Sequence, residues 1–172
     1  MPAVEERKLT IEEFHACYDG VKPYYEFWAG EAVQKSTPTS LHSLIEKILM
    51  MLLDALGLES AAEVTLNLDP TFAPVPDVIA VEGRLEQPYP VRPFPVVIEI
   101  LSPQDSFTRV VRKCQFYAQW GLERILVIDP ADRVIWSLEG GALEETNLIA
   151  RRGEKSVSAS DLWAEVDRRT AP

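Results

Sequence analysis

A single carboxylate interrupts an apolar segment in the second half of the chain. The residues from Pro95 to Leu101 read Pro-Val-Val-Ile-Glu-Ile-Leu, so only Glu99 is charged. A short run of β-branched and aliphatic residues is typical of a strand that is buried on both faces in the middle of a sheet. Because a buried carboxylate without a partner is strongly destabilising, Glu99 requires a positive group or a metal ion close by.

A second acid and a lysine join Glu99 as candidates. Asp77 opens the short apolar run 77–81, which predicts another strand. Lys113 lies fourteen residues after Glu99, on a predicted helix. If the two strands pair, both carboxylates can reach one cation, with the carbonyl of residue 100 as a further ligand. The aliphatic stem of Lys113 can lie on the sheet while its ammonium group meets the acids.

These residue types are the ones that a metal-dependent phosphodiesterase needs. Oxygen ligands hold a hard cation, which polarises a phosphate oxygen and lowers the pKa of water. A positive side chain positions the nucleophile or offsets the developing charge. Each residue also has a plainer interpretation: Asp77 as a turn acid that caps a strand, Glu99 as a solvent-facing acid on an edge strand, and Lys113 as a solvated helix lysine. Because the three residues occur together, a metal-dependent catalytic site is favoured over these separate interpretations.

Composition predicts one domain and limits the range of functions. The chain has 172 residues, of which 47% are hydrophobic and 26% charged, and this is enough for a full core. The net charge of −10 argues against broad affinity for nucleic acids, although metal-binding acids would contribute to it. A local basic strip comprises Arg109, Arg112 and Lys113. Cys17 and Cys114 lie far apart, which argues against a zinc site built on cysteine.

The sequence contains no sign of a membrane segment. Its longest apolar stretch is far too short to span a bilayer. The first eight residues lack the apolar core of a signal peptide. We therefore expect a cytoplasmic protein without a membrane partner.

Hydrophobic periodicity, caps and turn residues divide the chain into helices and strands. Thr10 and Glu13 form a capping box, and Ala29-Gly30 is the turn of a small hairpin. Ser102 is the expected N-cap of the helix that carries Lys113. The predicted helices cover 10–18, 40–56, 103–120 and 161–163, and the predicted strands cover 24–28, 31–35, 63–68, 77–81, 96–101, 124–128 and 133–138.

This order of elements predicts an α/β fold in which helices pack on a mixed sheet. We expect a single domain over 1–172. Within it, the core is expected at about 38–138, an N-terminal helix and hairpin addition over 1–37, and a C-terminal extension over 139–172.

The pattern resembles the PD-(D/E)xK nuclease superfamily, and in particular the Uma2 family of restriction-endonuclease-like proteins. The resemblance covers about residues 9–140. It is carried by an acid and a Gly-Glu pair in the hairpin, a histidine at the start of the long helix, a Pro-Asp-Val segment, an Ile-Glu-Ile-Leu-Ser-Pro segment, and a lysine followed by a tyrosine. These are residues 25–31, His42, 76–78, 98–103, Lys113 and Tyr117.

The resemblance implies a restriction-endonuclease-like fold, dependence on Mg²⁺ or Mn²⁺, and a nuclease-type site. In the superfamily pattern a lysine lies two residues after the acid. Here that position is Leu101, and the family pattern implies that Lys113 takes the place of that lysine from the helix. Many family members also carry an acid where Arg109 stands in this chain.

Two further residues are candidates for the site. His42 is either a helix N-terminal residue with a satisfied hydrogen bond or a residue that lies over the site and contacts phosphate or water. Glu26 is either a surface acid of the hairpin or an additional site carboxylate. Glu46 shares a helix face with His42 and is expected to be solvated. The predicted site therefore comprises Asp77, Glu99, Lys113, His42 and Glu26, with Asp77 and Glu99 as metal ligands.

The sequence favours a metal-dependent nuclease that acts on DNA, in which Asp77 and Glu99 hold Mg²⁺ and Lys113 orients the attacking water. One alternative is a catalytically inactive interaction domain that retains the fold, which the charge of −10 favours. Another is a nuclease that acts on RNA. A homodimer is expected because cutting both strands of a duplex usually needs two sites. The four tryptophans are expected in the core and at interfaces rather than as platforms for base stacking.

Overall fold

The computed structural model describes residues 8–67 and 69–171. These residues contain four helices and eleven strands. The helices are α1 (Ile11–Tyr18), α2 (Ser40–Ala55), α3 (Phe107–Gln119) and α4 (Ala159–Thr170). The strands are β1 (Tyr25–Trp28), β2 (Glu31–Gln34), β3 (Glu59–Ala62), β4 (Phe72–Ala73), β5 (Val78–Val81), β6 (Val96–Ile100), β7 (Arg124–Asp129), β8 (Val134–Glu139), β9 (Ala142–Glu145), β10 (Leu148–Arg152) and β11 (Lys155–Ser158).

A mixed six-stranded sheet forms the centre of the molecule. Its strand order is β3-β5-β6-β7-β8-β9. Strands β6 and β7 are parallel, because α3 crosses between them, whereas the other neighbouring pairs are antiparallel. Every residue of β6 is buried, as the apolar run around Glu99 predicts. The structure therefore confirms the expected α/β fold with a mixed sheet flanked by helices.

Helices cover both faces of this sheet. On one face, α2 and α4 share a core with alternate residues of β5, β6 and β7, and the α2 side chains recur at helical spacing as Ile45, Ile48, Leu49 and Leu53. On the other face, α3 packs Val110, Cys114 and Tyr117 against the remaining side chains of these strands. Among the described residues, no helix combines the length and the apolar composition needed to cross a membrane.

The N-terminal helix and hairpin form a separate layer beside the sheet. Strands β1 and β2 pair through a two-residue turn in which Ala29 (φ 47°) and Gly30 (φ 97°) both adopt left-handed backbone angles. A two-residue hairpin turn matches the strand twist in this conformation. Phe14 of α1 packs on Phe27 of β1 with ring centroids 5.3 Å apart. This packing joins α1 to the predicted hairpin.

Two predicted boundaries are wrong. Residues 63–67 form no strand, and Leu68 lies outside the described residues. The strand in this region is β3, which ends where Glu63 takes a left-handed backbone angle (φ 53°). The prolines of the facing segment, Pro74 and Pro76, lack the N–H groups that would extend the ladder.

The helix α3 begins at Phe107 and not next to Ser102. Ser102 and Asp105 form a turn, in which the Asp105 N–H donates to the Ser102 carbonyl and the Asp105 carboxylate accepts from the Ser102 N–H. The Ser102 hydroxyl contacts a histidine ring in place of a helix N-terminus. The N-cap position is therefore Ser106.

The C-terminal region contains more strands and a longer helix than the sequence predicts. Gly140 and Gly141 make the predicted turn, but it leads into β9, and the hairpin of β10 and β11 follows. These strands carry too many charged residues to show the alternation that identifies a strand. A capping box of Ser158 and Asp161 begins α4, which is much longer than the expected short helix because Leu162 and Val166 bury against the core.

We expect Leu126→Ala to lower the free energy of unfolding by about 2–5 kcal/mol, because it removes a fully buried side chain from β7 and leaves a cavity. Val91→Ala, at a position that is 57% exposed, is the matched control and should change it by less than about 0.5 kcal/mol. Urea unfolding measures both values. Equal effects of the two substitutions would contradict the central position of β7.

Candidate functional site

Five side chains predicted from the sequence meet in one place. A pocket of about 110 Å³ lies where the hairpin, the N-terminal end of α2, the ends of β5 and β6, and α3 converge. Its lining includes Glu26, His42, Asp77, Glu99 and Lys113. All five are buried, with exposed fractions of 4–5%. The interpretations of Glu26, Glu99 and Lys113 as surface residues therefore do not hold.

The pairing of β5 and β6 places the two predicted ligands side by side. Val78 lies opposite Ile98 in this antiparallel pair, so the register continued by one residue sets Asp77 opposite Glu99. Glu99 lies on the face of the sheet that α3 covers, as alternation with Val97 requires. The predicted pairing of these strands is thus present.

Lys113 is held between two acids. Its Nζ atom lies 2.6 Å from the Glu26 carboxylate and 2.8 Å from the Glu99 carboxylate. The Tyr117 hydroxyl, one helical turn further along α3, donates to Glu99 Oε1 at 2.6 Å. Glu26 also accepts from the backbone N–H of Val75 at 3.0 Å. The hairpin, β6 and α3 are therefore joined through one buried charge network.

Asp77 is surrounded by donors. Lys35 Nζ lies 2.8 Å from Oδ1, and the backbone N–H of Ile100 donates to Oδ2 at 2.6 Å. The Nε2 atom of His42 lies 3.4 Å from Oδ1. At residue 100, the N–H group therefore contacts a predicted ligand, and the role of the carbonyl as a further metal ligand stays a prediction.

The N-terminal end of α2 adds a group that the sequence analysis misjudged. Glu46 is only 8% exposed, so the expectation of a solvated side chain is wrong. Ligand atoms of His42, Glu46 and Asp77 all lie within 4.8 Å of one another. The Nδ1 atom of His42 lies 3.0 Å from Ser102 Oγ, which fixes the imidazole so that Nε2 faces the two acids. Oε1 of Glu46 is buried and accepts no hydrogen bond, but it lies 3.5 Å from Nε2 of His42.

Burial and neighbouring charges set the protonation of the Lys113 network. Burial alone would lower the pKa of Lys113, but Glu26 and Glu99 outweigh this effect and raise the pKa above its usual value. Burial raises the pKa of Glu99 to about 7, because Lys113 offsets only part of the desolvation. Lys113 therefore stays cationic at neutral pH and acts as a hydrogen-bond donor.

Burial and neighbouring charges also set the protonation of Asp77 and His42. For both residues, the neighbouring charges outweigh the effect of burial on the pKa. Burial would raise the pKa of Asp77, but Lys35 and His42 outweigh it and hold the pKa well below its usual range. Burial would lower the pKa of His42, but the carboxylates of Asp77 and Glu46 raise it to about 9. In the absence of a metal ion, Asp77 is therefore an anion at neutral pH and His42 a cation.

Sequence reasoning missed several contributors to the site. Lys35 follows β2 and belongs to the hairpin, so only the packing of the hairpin on the sheet brings it to Asp77. The sequence gives no role to Tyr117, which donates to Glu99, and it predicts a helix cap at Ser102, whose hydroxyl contacts His42. The position of Glu46 beside His42 was predictable, because a spacing of four residues places both side chains on one helix face.

A divalent cation fits the chemistry of these side chains. Four buried carboxylates, Glu26, Glu46, Asp77 and Glu99, outnumber the two lysines that face them. Carboxylate oxygens are the ligands that Mg²⁺ and Mn²⁺ prefer, and an imidazole nitrogen suits Mn²⁺. Oε1 of Glu46 is buried and accepts no hydrogen bond, with only His42 Nε2 at 3.5 Å beside it, so it is the kind of atom that a cation would satisfy.

Comparison with known families identifies the chain. The family model of Uma2, described as "Putative restriction endonuclease", matches residues 11–166. The chain belongs to the Uma2 family. The resemblance drawn from the hairpin acid, the Pro-Asp segment and the Ile-Glu-Ile-Leu-Ser-Pro segment is thus confirmed. A comparison with curated proteins finds no match.

One solved structure has the same fold over nearly its whole length. A crystal structure of a "putative nuclease belonging to DUF820" from Anabaena variabilis matches with a TM-score of 0.78 and 20% sequence identity, covering 92% of this chain and 99% of that one. A cryo-EM structure of the DrdV–DNA complex matches with a TM-score of 0.42 and 16% identity, covering 73% of this chain and 11% of that one. The second likeness is too weak to support an inference.

We expect Lys113→Met to lower the free energy of unfolding by about 3–5 kcal/mol, because it leaves Glu26 and Glu99 buried without their cation. The double variant Lys113→Met/Glu99→Gln should recover part of this loss. Lys47→Met, on the exposed side of α2, is the control and should change stability by less than about 0.5 kcal/mol. Chemical denaturation measures all three. An unchanged stability in Lys113→Met would contradict the buried network.

The raised pKa of His42 predicts a pH-dependent contribution to stability. Because the pKa is about 9 in the folded protein and about 6.5 unfolded, the contribution is complete below pH 6.5 and is lost as the pH rises through 9. The test compares the free energies of unfolding of the wild type and His42→Gln in EDTA between pH 6 and pH 9.5. We expect the advantage of the wild type to shrink across this range. A constant difference would contradict the ion contacts of His42.

Proposed function

We propose that this protein is a metal-dependent endonuclease that hydrolyses phosphodiester bonds, with DNA as the substrate. The observation that carries the proposal is the convergence of Asp77, Glu99 and Lys113, on two paired strands and a crossover helix, in one buried pocket. Membership of the Uma2 family and the shared fold support the same activity.

Asp77 and Glu99 are the proposed ligands of Mg²⁺ or Mn²⁺, and His42 and Glu46 offer further donor atoms beside Asp77. When bound, the cation supplies a Lewis acid that polarises a phosphate oxygen and lowers the pKa of a water molecule. Ser102 maintains the orientation of His42 through its contact with Nδ1. Lys35 balances the charge of Asp77 from the hairpin side.

Lys113 is the proposed group that orients the attacking water. An ammonium group has three N–H donors, of which Glu26 and Glu99 engage two. The third donor remains for water or a phosphate oxygen. The two acids fix the position of Nζ, and Tyr117 fixes Glu99 in turn. Fixed donors next to developing charge provide the electrostatic part of catalysis.

One observation favours the alternative of a non-catalytic interaction domain. The carboxylate oxygens of Asp77 and Glu99 all have donors within the chain, from Lys35, Ile100, Lys113 and Tyr117. Such a network is electrostatically satisfied without a metal ion. In this alternative the lysines stabilise the fold, and neither divalent-cation binding nor cleavage occurs.

The decisive test combines metal binding with cleavage. We expect Mn²⁺ and Mg²⁺ to bind the wild type in isothermal titration calorimetry and Asp77→Asn/Glu99→Gln to lose this binding. Cleavage of plasmid, linear duplex and single-stranded DNA should fall by on the order of 100-fold or more in each single variant. Glu144→Gln, an exposed acid on β9, is the matched control and should behave as the wild type.

The outcomes separate the candidate functions. Cleavage that is unchanged in Asp77→Asn and Glu99→Gln would contradict the proposed site. Digestion of RNA with DNA left intact would assign the enzyme to RNA. Absence of both metal binding and cleavage would favour the interaction domain. We also propose that two copies act together on a duplex, which the mass of the protein–DNA complex in solution would test.

A further inference from the structure

A second pocket adjoins the proposed catalytic site. Its volume is about 480 Å³, which lies within the range of small-ligand pockets. Aromatic side chains form one wall, and cationic side chains form much of the rim. The aromatic residues are Trp28, Phe72 and Phe116, and the cationic residues are Lys8, Arg109 and Arg112.

The aromatic wall is rigid and partly open. Phe72 is buried and packs against Trp28, with ring centroids 4.6 Å apart at an interplanar angle of 73°. Phe72 also packs against Phe116 at 4.6 Å. Trp28 and Phe116 are only half-buried, so part of each ring faces the pocket. A fixed, partly exposed aromatic surface is well suited to stacking on a flat ring.

The charge of the rim differs from that of the rest of the chain. The protein carries a net charge of −10, yet the pocket is lined by three cationic side chains and one acid, Glu31. The guanidinium of Arg112 lies 5.8 Å from the Trp28 ring centroid and 6.0 Å from that of Phe116. It therefore lies above the aromatic wall, where it is available to an anionic ligand.

The pocket is continuous with the catalytic site. Ser106 and Arg109 line both cavities. The Trp28 Nε1–H group donates to the Glu26 carboxylate at 3.1 Å, and Glu26 in turn contacts Lys113. A ligand that fills the aromatic pocket therefore lies directly beside the residues proposed to carry out hydrolysis.

We propose that this pocket binds one unpaired nucleotide of the nucleic-acid substrate, next to the phosphate that is hydrolysed. The base stacks on the layer that Trp28, Phe116 and the guanidinium of Arg112 form together, and Arg109 contacts a flanking phosphate. A base within a duplex is already stacked and paired, so its faces are not available to this wall. The proposal rests on the proposed nuclease function and adds the substrate class: strands with unpaired nucleotides.

Binding without divalent metal tests the proposal independently of cleavage. The probes are a fluorescein-labelled 12-nucleotide oligo(dT) and the corresponding blunt duplex with oligo(dA), and fluorescence anisotropy in EDTA gives both affinities. We expect the single strand to bind about 10-fold more tightly than the duplex. Arg112→Ala and Phe116→Leu should each weaken binding of the single strand by about 10-fold, which corresponds to the loss of one stacked base.

Two control measurements distinguish stacking from charge and from unfolding. Arg151→Ala, on the hairpin of β10 and β11, removes one exposed cation elsewhere and should change the affinity by less than about 2-fold. Arg112 is exposed, so its replacement leaves the core intact, and melting temperatures check the Phe116 variant. Equal affinity for single strand and duplex, equal effects of Arg112→Ala and Arg151→Ala, or no binding to the wild type would each overturn the proposal.

The results also separate this proposal from the nuclease function. If the expected binding pattern is found without metal-dependent cleavage, the proposal of a nucleotide-binding pocket stands and the proposed nuclease activity is contradicted. Cleavage of duplex DNA that depends on Asp77 and Glu99, together with oligonucleotide binding that ignores Arg112 and Phe116, would retain the enzyme and refute the pocket.

Discussion

The contact of Lys113 with Glu26 and Glu99 is the interaction on which the arrangement of this molecule depends. Each of the three side chains is almost completely buried, and each comes from a different part of the fold: the hairpin, the central strand β6 and the helix α3. A buried carboxylate without a cation is strongly destabilising, so the three elements must be in register for any of these charges to be tolerated. The network therefore specifies how the hairpin docks on the sheet.

The topology of the central sheet explains why these groups converge. The parallel pair of β6 and β7 requires a crossover, and α3 provides it on the face of the sheet to which Glu99 points. The antiparallel pairing of β5 with β6 brings Asp77 to the same end of the sheet. The N-terminal end of α2 approaches from the opposite face and contributes His42 and Glu46. Four acids of the site thus come from four separate segments.

The same arrangement supports two electrostatic states. Without a divalent cation, Lys35, Lys113 and a protonated His42 offset most of the charge of the four carboxylates. In the proposed metal-bound state, a cation at Asp77 and Glu99 would offset this charge instead, and the positive side chains would become available to water and phosphate. The aromatic pocket beside Trp28 adds a basic surface to an acidic protein, so that affinity for nucleic acid can be local although the net charge is negative.

Local patterns were sufficient to predict the buried strand around Glu99, the long amphipathic helix and the hairpin turn, since each depends on hydrophobic periodicity or on a glycine-containing turn at Ala29-Gly30. The sequence also predicted that Asp77, Glu99 and Lys113 lie close together, because a carboxylate in a buried apolar strand requires a positive partner. The contacts of Lys35 and Glu46, the end of β3 and the aromatic pocket became apparent only from the packing of the folded chain. These features arise from contacts between segments that are distant in sequence. A local pattern cannot show that a charged side chain such as that of Glu46 is buried, because the segment that buries it lies elsewhere in the chain.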